Sequence, residues 1–166
     1  MSKKALLLSG AFVALFSTQG FAAEVKYDSQ GCYVGQGHLI QHADGFMAGS
    51  FDNVTMRLPG QNGSPLLAEH CVGSFMAIGG EPEQLTGVCE GVDPDGDKYL
   101  LTFARKGDPT KVEGTVRFVH GTGKYAGVTG EGKFKDIGAN TPAPGVANTS
   151  GGCNRAWGTF TAAGMK

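Results

Sequence analysis

The sequence predicts an all-β domain, a set of short antiparallel strands that closes on itself. Three observations carry this. Apolar and polar residues alternate with a period of two along most of the chain, the pattern of half-buried strands. Glycine supplies 28 of 166 residues, far above its usual share of ~7%, and it is scattered among the alternating segments as turns, bulges and tight corners require. No segment after the N-terminus shows helical periodicity.

The first 22 residues read as a secretory signal peptide rather than as part of the domain. Lys3 and Lys4 form a positive start, Ala5 to Phe16 is largely apolar, and Gly20-Phe21-Ala22 offers small residues at a cleavage site. Residues 23–166 are then one domain, large enough to bury a core of its own. The mature chain has no apolar run long enough to span a membrane. Removing Lys3 and Lys4 from the 14 basic residues leaves 12 against 15 acids, a net charge of −3. That balance excludes the basic footprint of a nucleic-acid binder and a polybasic attraction to anionic lipid. An exported protein of this kind is expected in the periplasm or outside the cell.

Taken in order, residues 23–31 are a polar lead-in. Cys32–Ile40 alternates, and so does Asn53–Leu58, with Val54, Met56 and Leu58 on one face and Asn53, Thr55 and Arg57 on the other. Pro59 to Pro65 is a loop by its breakers. Leu66–Ile78 and Leu85–Val92 form a hairpin around a Gly79–Glu83 loop. Asp93 to Asp97 is a turn, with Asp-Gly as the hairpin signal. Lys98–Ala104 places Tyr99, Leu101 and Phe103 on one face. The strand beginning at Glu113 carries Val116 and Phe118. The turn at His120-Gly121-Thr122-Gly123 is expected to use Gly121 and Gly123 at positive φ. Tyr125, Val128 and Phe134 resume the apolar signal. Asp136 to Gly152 reads as a long mobile loop over a barrel mouth, and Asn154–Ala162 is a last strand with Trp157 and Phe160.

All four cysteines lie beyond the signal, and an even count in an oxidising compartment points to two disulfides. Antiparallel partners share a constant index sum, and a turn near residue 81 makes Cys71 and Cys89 opposite each other. Cys32 and Cys153 would then join the first strand to the last, as a closed barrel requires. Four cysteines allow three pairings, and the other two stay open.

The candidate chemistry is sparse. Gly121-Thr122-Gly123-Lys124 is no phosphate loop, because Phe118 and Tyr125 stand where that motif needs glycine and Ser or Thr. Asp93, Asp95 and Asp97 invite calcium, but Lys98 and Ala104 occupy the positions where an EF-hand needs Gly and Glu. His38 and His42 are about 13 Å apart on a strand and cannot share an ion. Glu69, His70 and Ser74 resemble a triad fragment without a nucleophile elbow. Three Asn-x-Ser/Thr tripeptides, at Asn53, Asn62 and Asn148, are incidental in a bacterial source. No catalytic set, metal set or cofactor motif emerges. The apolar residues Tyr99, Leu101, Phe103, Val116, Phe118 and Trp157 are expected to face the interior. There they either fill it or line a pocket for one small apolar molecule.

The stretch from Phe118 to Phe134, FVHGTGKYAGVTGEGKF, resembles the GGTG-[RK]-[FY]-xxxxG turn-and-strand signature of the allene oxide cyclase barrel superfamily. That group includes the plant cyclases, the dirigent proteins and secreted bacterial proteins. The Asp-Gly-Asp turn within Cys89 to Asp97 looks like the bacterial subgroup. His120 replaces the usual first glycine. The resemblance implies a calycin-like antiparallel barrel of about eight strands. It carries no catalytic residue onto a position here. Three readings follow: a barrel that binds a small apolar ligand without catalysis, a cyclase- or dirigent-like enzyme steering a reactive intermediate, or an envelope structural or interaction protein. Homo-oligomers are compatible with all three.

Overall fold

The structure, a computed structural model, describes residues 22–60, 65–109, 111–142 and 145–165. The segment read as a signal peptide lies outside these residues except for Ala22, as does the Gln61–Ser64 part of the predicted loop. Eight antiparallel strands follow in sequence order: β1 (Ala23–Gln41), β2 (Met47–Arg57), β3 (Leu67–Ile78), β4 (Glu81–Val92), β5 (Lys98–Arg105), β6 (Gly114–Gly121), β7 (Thr129–Pro142) and β8 (Thr149–Ala162). Each pairs with the next, and β8 returns to β1, so the sheet closes and leaves no edge.

Two disulfides brace this closure. Cys71 faces Cys89 across β3 and β4, and Cys32 faces Cys153 where the first strand meets the last. The index-sum argument therefore holds. The turn that sets it is tighter than expected: Gly79 and Gly80, at φ 64° and 84°, make a two-residue hairpin turn in place of a five-residue loop.

Two segments read as irregular are strand. The polar lead-in is the first half of β1. Its alternate residues Val25, Tyr27 and Ser29 face inward while Glu24 and Lys26 face out, and the pattern was masked because only two of those three are apolar. Most of the supposed loop at Asp136 to Gly152 is also strand, since β7 runs to Pro142 and β8 begins at Thr149. Its Ala, Asn and Gly content weakens the apolar signal, but the start of β8 pairs with both β1 and β7, and the end of β7 pairs with β8 on one side, with a register shift between Ile137 and Thr141.

Glycine is abundant because aromatic rings lie flat over inward glycines of the next strand. A Cβ on Gly114 would strike the ring of Phe134, and one on Gly91 the ring of Tyr99, each pair lying directly opposite in register. The small barrel thus accommodates large side chains by removing their neighbours.

Strand direction separates two ends. At one end the interior is filled. Tyr27, Tyr99, Phe118, Tyr125 and Phe160 stack with ring centroids 5.1–6.2 Å apart, arrangements that add about 0.5–1.5 kcal/mol per pair beyond area burial. Val128 and Ala162 close this end. The Gly123–Tyr125 turn crosses it. Gly123 sits at φ 54° as expected, whereas Gly121 does not adopt positive φ. Gly121 is required for space: a Cβ there would meet the Tyr125 carbonyl.

The same turn shows that Lys124 is not a solvated surface residue. Its Nζ lies 2.6 Å from Asp93 and 2.7 Å from Asp95, and its backbone N–H donates to Asp97. Substituting Gly123→Val should cost about 1–3 kcal/mol for the backbone angle alone, with overlap onto Asp97 added. Gly121→Val and Lys124→Ala should also destabilise, Lys124→Ala by leaving the buried Asp93 carboxylate unpaired. Urea unfolding of the three variants checks this. A Lys124→Ala protein as stable as wild type would refute the pairing.

Candidate functional site

At the other end the interior opens into a cavity of about 780 Å³. This lies within the ~300–1,000 Å³ of small-molecule sites. One wall is apolar. Phe51 and Phe75, on β2 and β3, face Leu101, Phe103, Val116 and Phe134, on β5 to β7. Pairing places these side chains at alternate inward positions of consecutive strands. Segments 107–109 and 146–148 border the cavity, and the second is anchored to β1 by Gly37 N–H donating to the Asn148 carbonyl at 2.9 Å.

The rest of the lining is largely polar, because β2 beyond Phe51 is inverted relative to a simple amphipathic expectation. Asn53, Thr55 and Arg57 face in, while Val54 and Met56 are exposed outside. Arg57 Nε donates to Glu69 Oε2 at 2.7 Å, Arg57 Nη1 to Asn154 at 3.0 Å, and Tyr99 OH to Glu69 Oε1 at 2.6 Å. The Glu69 side chain is 1% exposed. Burial alone would weaken the Arg57 guanidinium's hold on its proton, but the adjacent Glu69 carboxylate outweighs it and pushes the pKa up. Burial, with Glu69 beside it, raises the Tyr99 phenol well above its ordinary value, and burial pushes Tyr27 up to about 12. Both tyrosines therefore stay protonated at neutral pH. A second pair, Arg105 Nη1 to Asp136 at 2.9 Å, stands on the cavity wall with Arg105 over the Phe134 ring.

The predicted interior residues divide. Leu101, Phe103 and Val116 line the cavity. Tyr99 and Phe118 belong to the filled end instead. Trp157 does not face the interior at all: it lies opposite Asp28 and Lys133, under the Arg155 guanidinium 5.4 Å away. Ala156, Phe160 and Ala162 are buried on the inward face of β8 that Asn154 shares, and a period of two cannot place both Trp157 and Phe160 inside. Cys71 and Cys89 line the cavity, whereas Cys32 is exposed on the outer face.

The triad fragment is dispersed by the same rule. Glu69 points in, while His70 pairs with Asp52 at 2.7 Å outside and Ser74 contacts Thr86 at 3.4 Å. Arg57, Arg105, Asp136 and Asn154 escaped the sequence reading. The one signal for Arg57 was its place on the polar side of an alternating strand. At the closed end, the position a calcium ion would take between Asp93 and Asp95 is held by the Lys124 ammonium.

Burial works to raise the Asp93 carboxyl. The Lys124 ammonium and the Asp97 and Asp95 backbone N–H groups outweigh it and hold the group below the usual carboxylate range. A depressed folded-state pKa gives stability that is present above the unfolded value of ~3.9 and is lost as pH falls through the folded value. Resistance to urea should therefore decline progressively below about pH 4, and Asp93→Asn should flatten that decline. An acid profile identical in wild type and Asp93→Asn would exclude Asp93 as the source.

No family model matches the chain, and no curated protein does. Among solved structures, the pterocarpan synthase dirigent protein GePTS1 superposes with a TM-score of 0.52 at 14% identity, covering 95% of this chain and 99% of that one. The pterocarpan synthase dirigent protein PsPTS1 gives a TM-score of 0.46 at 14% identity, covering 84% and 95%. At this identity the first likeness concerns the fold alone, the eight-stranded closed barrel.

Proposed function

We propose that this protein is an exported barrel that binds one small, mainly apolar molecule in its open half. The observation that carries the reading is the 780 Å³ cavity with its aromatic and aliphatic wall. Export is supported by the signal-like N-terminus and by the two disulfides. No helix among the described residues is long and apolar enough to cross a membrane. The ligand is expected to lie against Phe103, Leu101 and Val116 and to present its polar atoms toward Asn53, Thr55 and Asn154.

A neutral fluorescent probe such as N-phenylnaphthylamine tests this. It should brighten on binding. Val116→Trp, which fills the cavity, should weaken binding at least about tenfold, the effect of losing ~1.4 kcal/mol. Trp157→Phe, on the outer face, should leave binding unchanged. No binding to wild type, or equal binding to the Val116→Trp protein, would sink the proposal.

A second reading, in which the barrel steers a reactive intermediate, is favoured by the Arg57 and Arg105 guanidiniums on the cavity lining, held in place by Glu69 and Asp136. Positioned donors at a shaped apolar wall act by orientation and electrostatics. The dirigent likeness supports the fold that such a site needs. The cavity withdraws support from a purely structural envelope role.

The outer face supports self-association. Val34 pairs with Val54, and Val72 with Val88, all four being exposed large apolar residues on adjoining strands. We propose that a second copy covers these two valine pairs, which are offset by two residues beside the Asp52–His70 pair. Sedimentation should show an oligomer that Val54→Lys dissociates, and a wild-type monomer at all concentrations would overturn it.

A further inference from the structure

We propose that reducing Cys71–Cys89 converts the floor of the cavity into a binding site for a thiophilic divalent ion, with Glu69 as its third ligand. The placement follows from register. Cys71 and Cys89 are directly opposite on β3 and β4, and Glu69 precedes Cys71 by two residues, so all three side chains share the inward face. A carboxylate oxygen of Glu69 and the two sulfurs lie within 4.8 Å of one another, and all three residues are buried. They are the one such group among the described residues. The outer Cys32–Cys153 pair has no such third ligand among the described residues and serves as an internal control.

Chemistry and charge suit the ion. Zinc and cadmium prefer thiolate sulfur, and zinc accepts a carboxylate oxygen as well. Two thiolates and a carboxylate bring three negative charges, a divalent ion brings two positive, and Arg57, 2.7 Å from Glu69, balances the remainder. Arg57 and Tyr99 already hold the Glu69 carboxylate in one orientation, as groups behind a metal ligand commonly do. Each oxygen keeps lone-pair capacity beyond the bond it accepts. Three protein ligands leave a fourth tetrahedral position to water or a cavity ligand. Cys71 and Cys89 line the cavity, so ion and reductant share an entrance.

The redox step balances. A dithiol reductant passes two electrons and two protons to the Cys71–Cys89 sulfur–sulfur bond, which breaks to give two thiols while the dithiol becomes a disulfide. Binding of the ion then releases the two thiol protons to solvent. The strands remain paired on both sides after the bond breaks, which keeps the sulfurs opposite each other.

The test uses the full chain with cadmium. A water-soluble phosphine is the reductant, because it becomes the phosphine oxide by taking oxygen from water and leaves two thiols. The reduced protein should bind one cadmium per chain with an ultraviolet thiolate-to-cadmium absorption, and the oxidised protein should show none. Cys32→Ser/Cys153→Ser should retain the band after reduction. Cys89→Ser should lose about half of its intensity, because one of two thiolates remains. Glu69→Gln should weaken binding about tenfold or more while keeping the band, the scale of loss when a metal site is deprived of a supporting group.

Far-ultraviolet circular dichroism accompanies each titration. If reduction or a substitution loosens the barrel, cadmium should restore the folded spectrum, and failure to do so counts against the site. A reduced, folded protein without the band overturns the proposal. So does a band that survives Cys89→Ser at full intensity and disappears in Cys32→Ser/Cys153→Ser.

Discussion

A buried ion pair sets the plan of this barrel. Arg57 and Glu69 lie side by side on β2 and β3, and Tyr99 closes the arrangement from β5. Taking two charges out of water is costly, and the attraction between them repays it only when the remaining hydrogen-bonding capacity is met. Here Asn154 accepts from Arg57 and Tyr99 donates to Glu69. Removing one partner of such a pair typically costs about 3–5 kcal/mol, because a lone charge is then stranded among rings. The network also forms a boundary. On one side the aromatic cluster fills the barrel, and on the other the space remains open.

That boundary explains how one interior both packs and binds. A barrel of eight strands has room for its own side chains or for one small ligand, and this one divides the alternatives along its axis. At the filled end, aromatic rings and the Lys124 turn act as a plug. At the open end, the rings of Phe51, Phe75, Phe103 and Phe134 lie against Gly73, Gly49, Gly87 and Gly114 of neighbouring strands, which leaves space beside them. Polar positions on β2, β7 and β8 give the open half direction, since a ligand there meets both rings and hydrogen-bonding groups.

The two disulfides differ in what surrounds them. Cys32–Cys153 fastens the strand pair that closes the barrel and is open to solvent on the outside. Cys71–Cys89 joins strands already linked by a two-residue turn, so it constrains a short loop and offers less by chain entropy. Its position against Glu69 at the cavity floor gives it a different chemical setting.

The all-β class, the closure of first strand on last, the hairpin pairing of Cys71 with Cys89 and the turn at Gly123 were legible in the sequence. Each depends on local information: a period of two, an index sum, or a backbone angle that glycine alone adopts readily. Leu101, Phe103 and Val116 were legible for the same reason. The other residues of the site were decided by tertiary structure. Alternation shows that Asn53, Thr55 and Arg57 share a face, but only closure of the barrel determines that this polar face points inward. It likewise puts Trp157 outside, because the choice between Trp157 and Phe160 rests on register with β1 and β7. Glu69, Tyr99 and Asn154 come from strands far apart in the chain, and no spacing rule links them. Only a closed sheet brings them to one charge, where leaving any of them unpaired would cost more than ordering them together.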